Sequence, residues 1–269
     1  MPKSLAVLDA PMHSAPTSAG TLAFGRAIRD TGLIQRLGAA DAGAVPTPGD
    51  ATALGRAIAQ LLDADRLPIV LGGDCSVITG VAAALRGRHG LAYIDGHSDF
   101  NHAGNLEPQP ATARNELAVI TGRGGAGTCF RDEDVAAIGF RRADPAFQEL
   151  RKTEILLWPI FWLYEHSRAE LDKSLLRRLD RDELAGIWIH LDVDALDPTL
   201  VSAVPHPLAD GLSGPELVAI LRLLIDSGKV AGMSIANLIP AGDPTGRQLA
   251  LIADVLTEAF IERADGGTA

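Results

Sequence analysis

Short apolar runs alternate with helical stripes along almost the whole chain, and no other feature restricts the fold as strongly. Leu5–Leu8, Pro68–Leu71, Leu91–Ile94, Val135–Ile138, Ile155–Leu157, Ile187–Leu191 and Val230–Ile235 have the length and continuous hydrophobicity of strands buried on both faces. Between them, Leu54, Ile58, Leu61 and Leu62, and then Val77, Val81 and Leu85, recur at helical spacing. Further helices are expected over Thr21–Asp30 and Leu249–Ile261. Ser167 with Glu170 and Ser213 with Glu216 have capping-box spacing. The first pair precedes a stripe at Leu171, Leu175 and Leu179, the second a stripe at Leu217, Ile220, Leu221 and Leu224. Strands joined by helices predict right-handed βαβ units, hence an α/β fold with a mainly parallel sheet covered on both faces.

The 269 residues fit one α/β domain, expected to run over 1–269. Aromatic residues make up only 4% of the chain against 47% hydrophobic residues in all, so the core must be built from Ala, Leu, Ile and Val. A formal net charge of -10 argues against nucleic acid as a partner and favours a small cationic or zwitterionic substrate. Two cysteines, Cys75 and Cys129, make no disulfide framework and suit a reducing compartment. The first residues are too briefly apolar for a signal peptide, and no run is long enough to span a membrane. A cytoplasmic protein without membrane attachment is expected.

Polar clusters follow four of the apolar runs: Gly72–Cys75, Asp95–Asp99, Asp192–Asp194 and Ser234–Asn237. In an open α/β sheet ligands bind beyond the carboxyl ends of the strands, so the four clusters are expected to share one crevice. Asp95, His97 and Asp99 alternate, which turns their side chains to one side of extended backbone, and Asp192 and Asp194 repeat that spacing. Taken alone, Asp95–Asp99 also reads as a surface turn with a capping aspartate. Several carboxylates in one crevice repel unless cations hold them, and a site for two divalent metal ions is the economical reading. The segment from Asn101 to Thr112 lacks periodicity and is long enough to suggest a functional loop.

In this order and at these separations, GGDC, DGHSD and HLDVDALDP resemble the arginase–agmatinase–formiminoglutamase family of ureohydrolases, across essentially the whole chain. The resemblance implies a three-layer α/β/α arginase-like fold, homo-oligomers, and two divalent metal ions, manganese first, that activate a bridging water. It implies Asp95 and Asp192 as ligands shared by both metals, Cys75 and Asp99 on one, and His97 and Asp194 on the other. Asp99 is also expected to hydrogen-bond the nucleophile. Asn101 matches an Asn that helps bind a substrate carboxylate, and Asp144 matches an Asp that contacts a substrate amino group. Each has an ordinary alternative, Asn101 as a turn residue and Asp144 as an N-cap before Pro145.

Three positions depart from the family pattern. Cys75 stands where most members place a metal-binding His, as in a branch resembling hydroxyarginine-hydrolysing amidinohydrolases. Its softer sulfur admits zinc, iron or cobalt, and its alternative is a small buried side chain at a helix start. Asn237 falls where a Glu binds the guanidinium, and an amide does not neutralise a cation. The His-Gly pair of the proton shuttle is missing, leaving His102 as the nearest substitute, then Glu107, with His206 a weaker candidate at the mouth. Two readings follow: a dinuclear-metal hydrolase of a linear C–N bond in an amino-acid-like guanidine, hydroxyguanidine or amidine, or a degenerate member with a binding or structural role.

Overall fold

The computed structural model describes residues 3–261 except 15, 103, 105–113, 124–128, 143 and 145. Eight strands, Ser4–Ala10 (β1), Ala40–Ala44 (β2), Arg66–Gly72 (β3), Gly90–Ile94 (β4), Val135–Ile138 (β5), Leu156–Trp158 (β6), Ile187–Asp192 (β7) and Val230–Ala236 (β8), form one sheet in the order β2-β1-β3-β8-β7-β4-β5-β6. Every pairing is parallel. The seven expected strands are all present, each within two residues of its predicted ends.

Alternate side chains feed two hydrophobic layers. Ala92 and Ile94 of β4 face the layer that holds Leu171, Leu175 and Leu179 of the helix Arg168–Leu179 and Leu217 and Leu221 of the helix Gly214–Asp226. Leu91 and Tyr93 face the other layer, with Leu54 and Ile58 of the helix Ala51–Asp63 and Val77 and Val81 of the helix Val77–Ala84. Helices therefore cover both faces, as buried parallel strands require, giving the expected three layers. Both capping boxes form: Ser167 and Ser213 each accept from the backbone of a Glu whose carboxylate returns to the cap.

Some local structure differs from expectation. The helix predicted over Thr21–Asp30 is a 3-10 stretch, Pro16–Ala23, followed by a short α-helix, Phe24–Arg29. The edge strand β2 and the short helices Glu116–Ile120 and Ile160–Glu165 were not anticipated. Among the described residues no helix is long and apolar enough to cross a membrane.

Candidate functional site

The strands β3, β8, β7 and β4 are neighbours at the centre of the sheet, and their carboxyl ends carry the four polar clusters. After β3 the chain must pass close under Met12, where a Cβ on Gly73 would stand 1.8 Å from the Met12 carbonyl oxygen; only glycine fits there. Asp74 then takes hydrogen bonds from Ser14 and Ser76, which fixes the turn that buries Cys75 at the start of the helix Val77–Ala84. Asp99 and Asn237 adopt left-handed backbone, with φ of 46° and 83°. Asp and Asn tolerate that region best among residues with a side chain, and such strain, roughly 1–3 kcal/mol each, concentrates at functional sites.

Cys75, Asp95, His97, Asp99, Asp192 and Asp194 are all at most 7% exposed, so desolvation dominates their chemistry. The backbone holds one oxygen of each of three carboxylates: His97 N donates to Asp95 Oδ1 at 2.7 Å, Asp194 N to Asp192 Oδ1 at 2.8 Å, and Gly96 N to Asp194 Oδ1 at 2.9 Å. The second oxygens meet inside. The Cys75 thiol donates to Asp192 Oδ2 at 3.0 Å, and its Sγ lies 3.9 Å from Asp95 Oδ2. His97 Nδ1 is 2.9 Å from Asp194 Oδ2, while its Nε2, though buried, has no hydrogen-bond partner. Tyr93 donates its phenolic proton to Asp99 Oδ2 at 2.7 Å. Asn237 gives its side-chain amide to Asp192.

Burial, and then the charges of neighbouring carboxylates, hold Asp95 and Asp192 well above the ordinary carboxylate range, and burial raises Asp99 to about 6. Burial also pushes the Cys75 thiol up, reinforced by Asp192 and Asp95. Burial acts on Asp194 in the same direction, but the His97 contact outweighs it and pulls Asp194 below its ordinary value. This donor set is strained without a cation and suited to one. Among the described residues two sets of three donors each lie within 4.8 Å of one another: Asp95, His97 and Asp194, and Cys75, Asp95 and His190. Carboxylate, imidazole and thiolate oriented by backbone amides fit divalent metal ions. His190 had no place among the expected site residues, because it lies inside an apolar run rather than in the polar cluster after it.

Beside the cluster is a cavity of about 100 Å³ whose wall includes His97, Asp99, Asn101, Arg114 and Asp144. Asp144 is fixed by Ser98, which donates from its backbone N at 2.9 Å and its hydroxyl at 2.6 Å, and by Ala146 N at 2.9 Å. The last bond is the local turn bond expected of a capping Asp; Pro145 itself lies outside the described residues. Oδ1 takes two of these bonds and Oδ2 one, so Oδ2 keeps accepting capacity in the cavity wall. Arg114, which the sequence motifs do not mark, adds a cation to the same wall. His102 packs edge-on against Phe100 and accepts from Gly104 N. The His206 ring stands 6.4 Å from that of His97, so the structure brings this histidine to the mouth of the cluster. Glu107 lies outside the described residues. Two further buried groups were not foreseen. Arg141 binds the carbonyls of Gly139, Asp194 and Leu196 and so ties the loops after β5 and β7 together. Glu116 is a carboxylate only 2% exposed.

Residues 11–261 match the arginase family. Over 213 aligned residues, 72% of this chain and 67% of the relative, the sequence is 31% identical to an arginase of Brucella melitensis. The fold superposes on the crystal structure of an arginase from Bacillus subtilis with a TM-score of 0.86, covering 97% of this chain and 99% of that one at 22% identity. It superposes on proclavaminate amidino hydrolase from Streptomyces clavuligerus with a TM-score of 0.79, covering 96% and 91% at 19% identity.

Proposed function

The chain belongs to the arginase family, and from that premise we propose that it is a metal-dependent amidinohydrolase that cleaves a linear C–N bond in an amino-acid-like guanidine, hydroxyguanidine or amidine. One observation carries the reading: the ends of three central strands, β3, β4 and β7, bring carboxylate, imidazole and thiol donors into one buried cluster beside a polar cavity. Cys75, Asp95, His97, Asp99, Asp192 and Asp194 would hold two divalent ions, with manganese, zinc, iron or cobalt compatible with the donors. When bound, such ions supply the Lewis acidity that makes hydroxide available near neutral pH.

The chain's own groups provide binding and alignment. Tyr93 steadies Asp99 through a 2.7 Å hydrogen bond, which leaves Asp99 to orient the nucleophile from the cavity wall. Asp144 offers an anchored carboxylate to a substrate ammonium, while Asn101 and Arg114 suit a substrate carboxylate. That pairing favours an amino acid over a simple amine. His206 beside His97 and His102 on the neighbouring loop are the imidazoles available to return a proton to the departing amine.

The amide of Asn237 is engaged by Asp192 and carries no charge to offer a guanidinium. A strongly basic guanidine therefore forgoes a charge-assisted bond of roughly 1.5–3 kcal/mol. With metal-replete protein, N-hydroxyarginine is expected to exceed arginine in kcat/KM by roughly 10- to 150-fold. The assay compares arginine, hydroxyarginine, agmatine, guanidinobutyrate and formiminoglutamate by urea, hydroxyurea, formamide and amine release. Arginine turned over as efficiently as hydroxyarginine would overturn the substrate assignment. Silence across all five, together with absence of bound metal by elemental analysis, would favour a degenerate protein with a binding role.

A further inference from the structure

On one face of the sheet a polar row crosses three strands directly beneath the carboxylate cluster. Tyr93 of β4 pairs with His190 of β7, and His190 with Ser234 of β8. Residues two apart on a strand share a face, so His190 lies one layer below Asp192, and Tyr93 one layer below Asp95. The His190 ring is fully buried and stacks on Tyr93 with ring centroids 4.8 Å apart. Its Nδ1 is 2.9 Å from Ser234 Oγ, which also accepts from Trp188 Nε1 at 3.1 Å. The contact fixes the ring plane, and in the tautomer that carries its proton on Nδ1 the second lone pair of Ser234 Oγ accepts that proton and the other ring nitrogen keeps its lone pair. That nitrogen, Nε2, is buried with no hydrogen-bond partner.

A fully buried imidazole nitrogen without a partner costs free energy that a core histidine ordinarily avoids by bonding. The same ring lies among metal-ligating side chains. Ligand atoms of Cys75, Asp95 and His190 lie within 4.8 Å of one another, the spacing from which sulfur, nitrogen and oxygen close on one ion with bonds of about 2.0–2.3 Å. We propose that His190 is a metal ligand, completing with Cys75 and Asp95 a thiolate–imidazole–carboxylate position that takes a thiophilic divalent cation, zinc or cobalt. The neighbouring set, Asp95, His97 and Asp194, contains no sulfur and suits a harder ion such as manganese. Asp95 belongs to both sets, so the two positions are adjacent and unequal. The Trp188–Ser234–His190 row holds the ring plane and offers an acceptor to an Nδ1 proton, as a hydrogen-bonded partner does for a ligating histidine generally.

This inference rests on the reading that the cleft holds divalent cations, and its test separates the two. Metal-free wild type, His190→Asn and Cys75→Ser proteins are titrated with cobalt(II) alone, following thiolate-to-cobalt charge-transfer absorption and bound metal by equilibrium dialysis. Asn keeps a polar atom for Ser234 but has none at the Nε2 position. Wild type is expected to develop the thiolate band, Cys75→Ser to lose it, and His190→Asn to bind cobalt at the band-producing position at least ~10–100-fold more weakly. The set containing His97 is expected to keep its cobalt in both variants. A His190→Asn protein with wild-type affinity and spectrum overturns the assignment of His190 and leaves the functional reading standing. A wild type that binds no metal overturns both. Should His190→Asn fail to fold, the folded His97→Ala protein loaded with one equivalent of zinc is measured by X-ray absorption: sulfur and imidazole in one shell are expected, and sulfur without imidazole overturns the proposal.

Discussion

Glu116 shows how far the environment of a single side chain can depart from what its neighbours in sequence suggest. Its Oε2 accepts backbone N–H groups from Arg114 and Asn115, each at 2.9 Å, and Ser14 approaches its Oε1 at 3.4 Å. These bonds favour the ionised form, but burial, and then the charge on Asp99, win and raise the carboxyl from 4.5 to about 8. A raised pKa means that the folded protein binds this proton more tightly than the unfolded chain. The proton's stabilisation is complete below 4.5 and is lost as pH rises through about 8. Glu116→Gln keeps a neutral, hydrogen-bonding group of the same size at every pH. In metal-free protein, the melting temperature of the variant relative to wild type is expected to rise steadily between pH 4.5 and 8. A difference that stays constant across that window would place the ionised carboxylate in the folded state throughout. The residue escaped the sequence reading because it stands alone in a stretch with no repeated spacing, whereas Asp95, His97 and Asp99 announce themselves by alternation.

At the scale of elements, β7 and β8 show a packing constraint that reaches the site. Trp188 pairs with Gly232, and a Cβ on Gly232 would lie 2.3 Å from the Trp188 ring. The missing side chain on β8 is therefore the space that the indole of β7 occupies, and that indole donates to Ser234, which holds His190. Gly232→Ala should cost about 1–3 kcal/mol by overpacking, with a shift in Trp188 fluorescence, both read in one denaturant titration. Unchanged stability would mean that the ring has room to move. Elements such as these were legible where the chain repeats itself: continuous apolar runs marked the central strands, and the Ser-x-x-Glu pairs at 167–170 and 213–216 marked two helix starts that form as expected. The strand β2, Ala-Asp-Ala-Gly-Ala, was not legible, because an edge strand exposed along most of its length needs neither β-branched nor apolar residues. Its place comes from pairing with β1, a contact that no local pattern encodes. The same holds for the candidate site. Motif spacing marked its carboxylates, while Arg114 and Arg141 reach it only through tertiary structure, and His190, the first residue of HLDVDALDP, is masked by the apolar run of β7 in which it stands.

At the scale of the whole molecule, the two ends of the sheet do different work. The carboxyl ends gather buried acidic groups with little to neutralise them, which favours ligand binding over stability. At the amino ends the opposite arrangement holds. Asp134, just before β5 and fully buried, receives Arg88 from the segment ahead of β4 through Nε at 2.5 Å and Nη2 at 2.8 Å, and it also receives Arg181 from beyond the helix Arg168–Leu179. One carboxylate thus joins three separate segments with its charge compensated. Removing it leaves Arg88 with only Glu133 and Arg181 with only Glu183 as carboxylate partners, at side-chain exposures of 27% and 25% for the two arginines. Breaking a buried pair costs 3–5 kcal/mol, and partial access to water reduces that here to roughly 2–4 kcal/mol. Asp134→Ala is accordingly expected to lose this much stability in chemical denaturation while binding cobalt with wild-type affinity in the folded protein, since the cation donors all sit at the opposite ends of the strands. A variant whose metal affinity fell in proportion to its stability would show instead that the two ends are coupled through the sheet, and that the strain at Asp99 and Asn237 is maintained from the far side of the molecule.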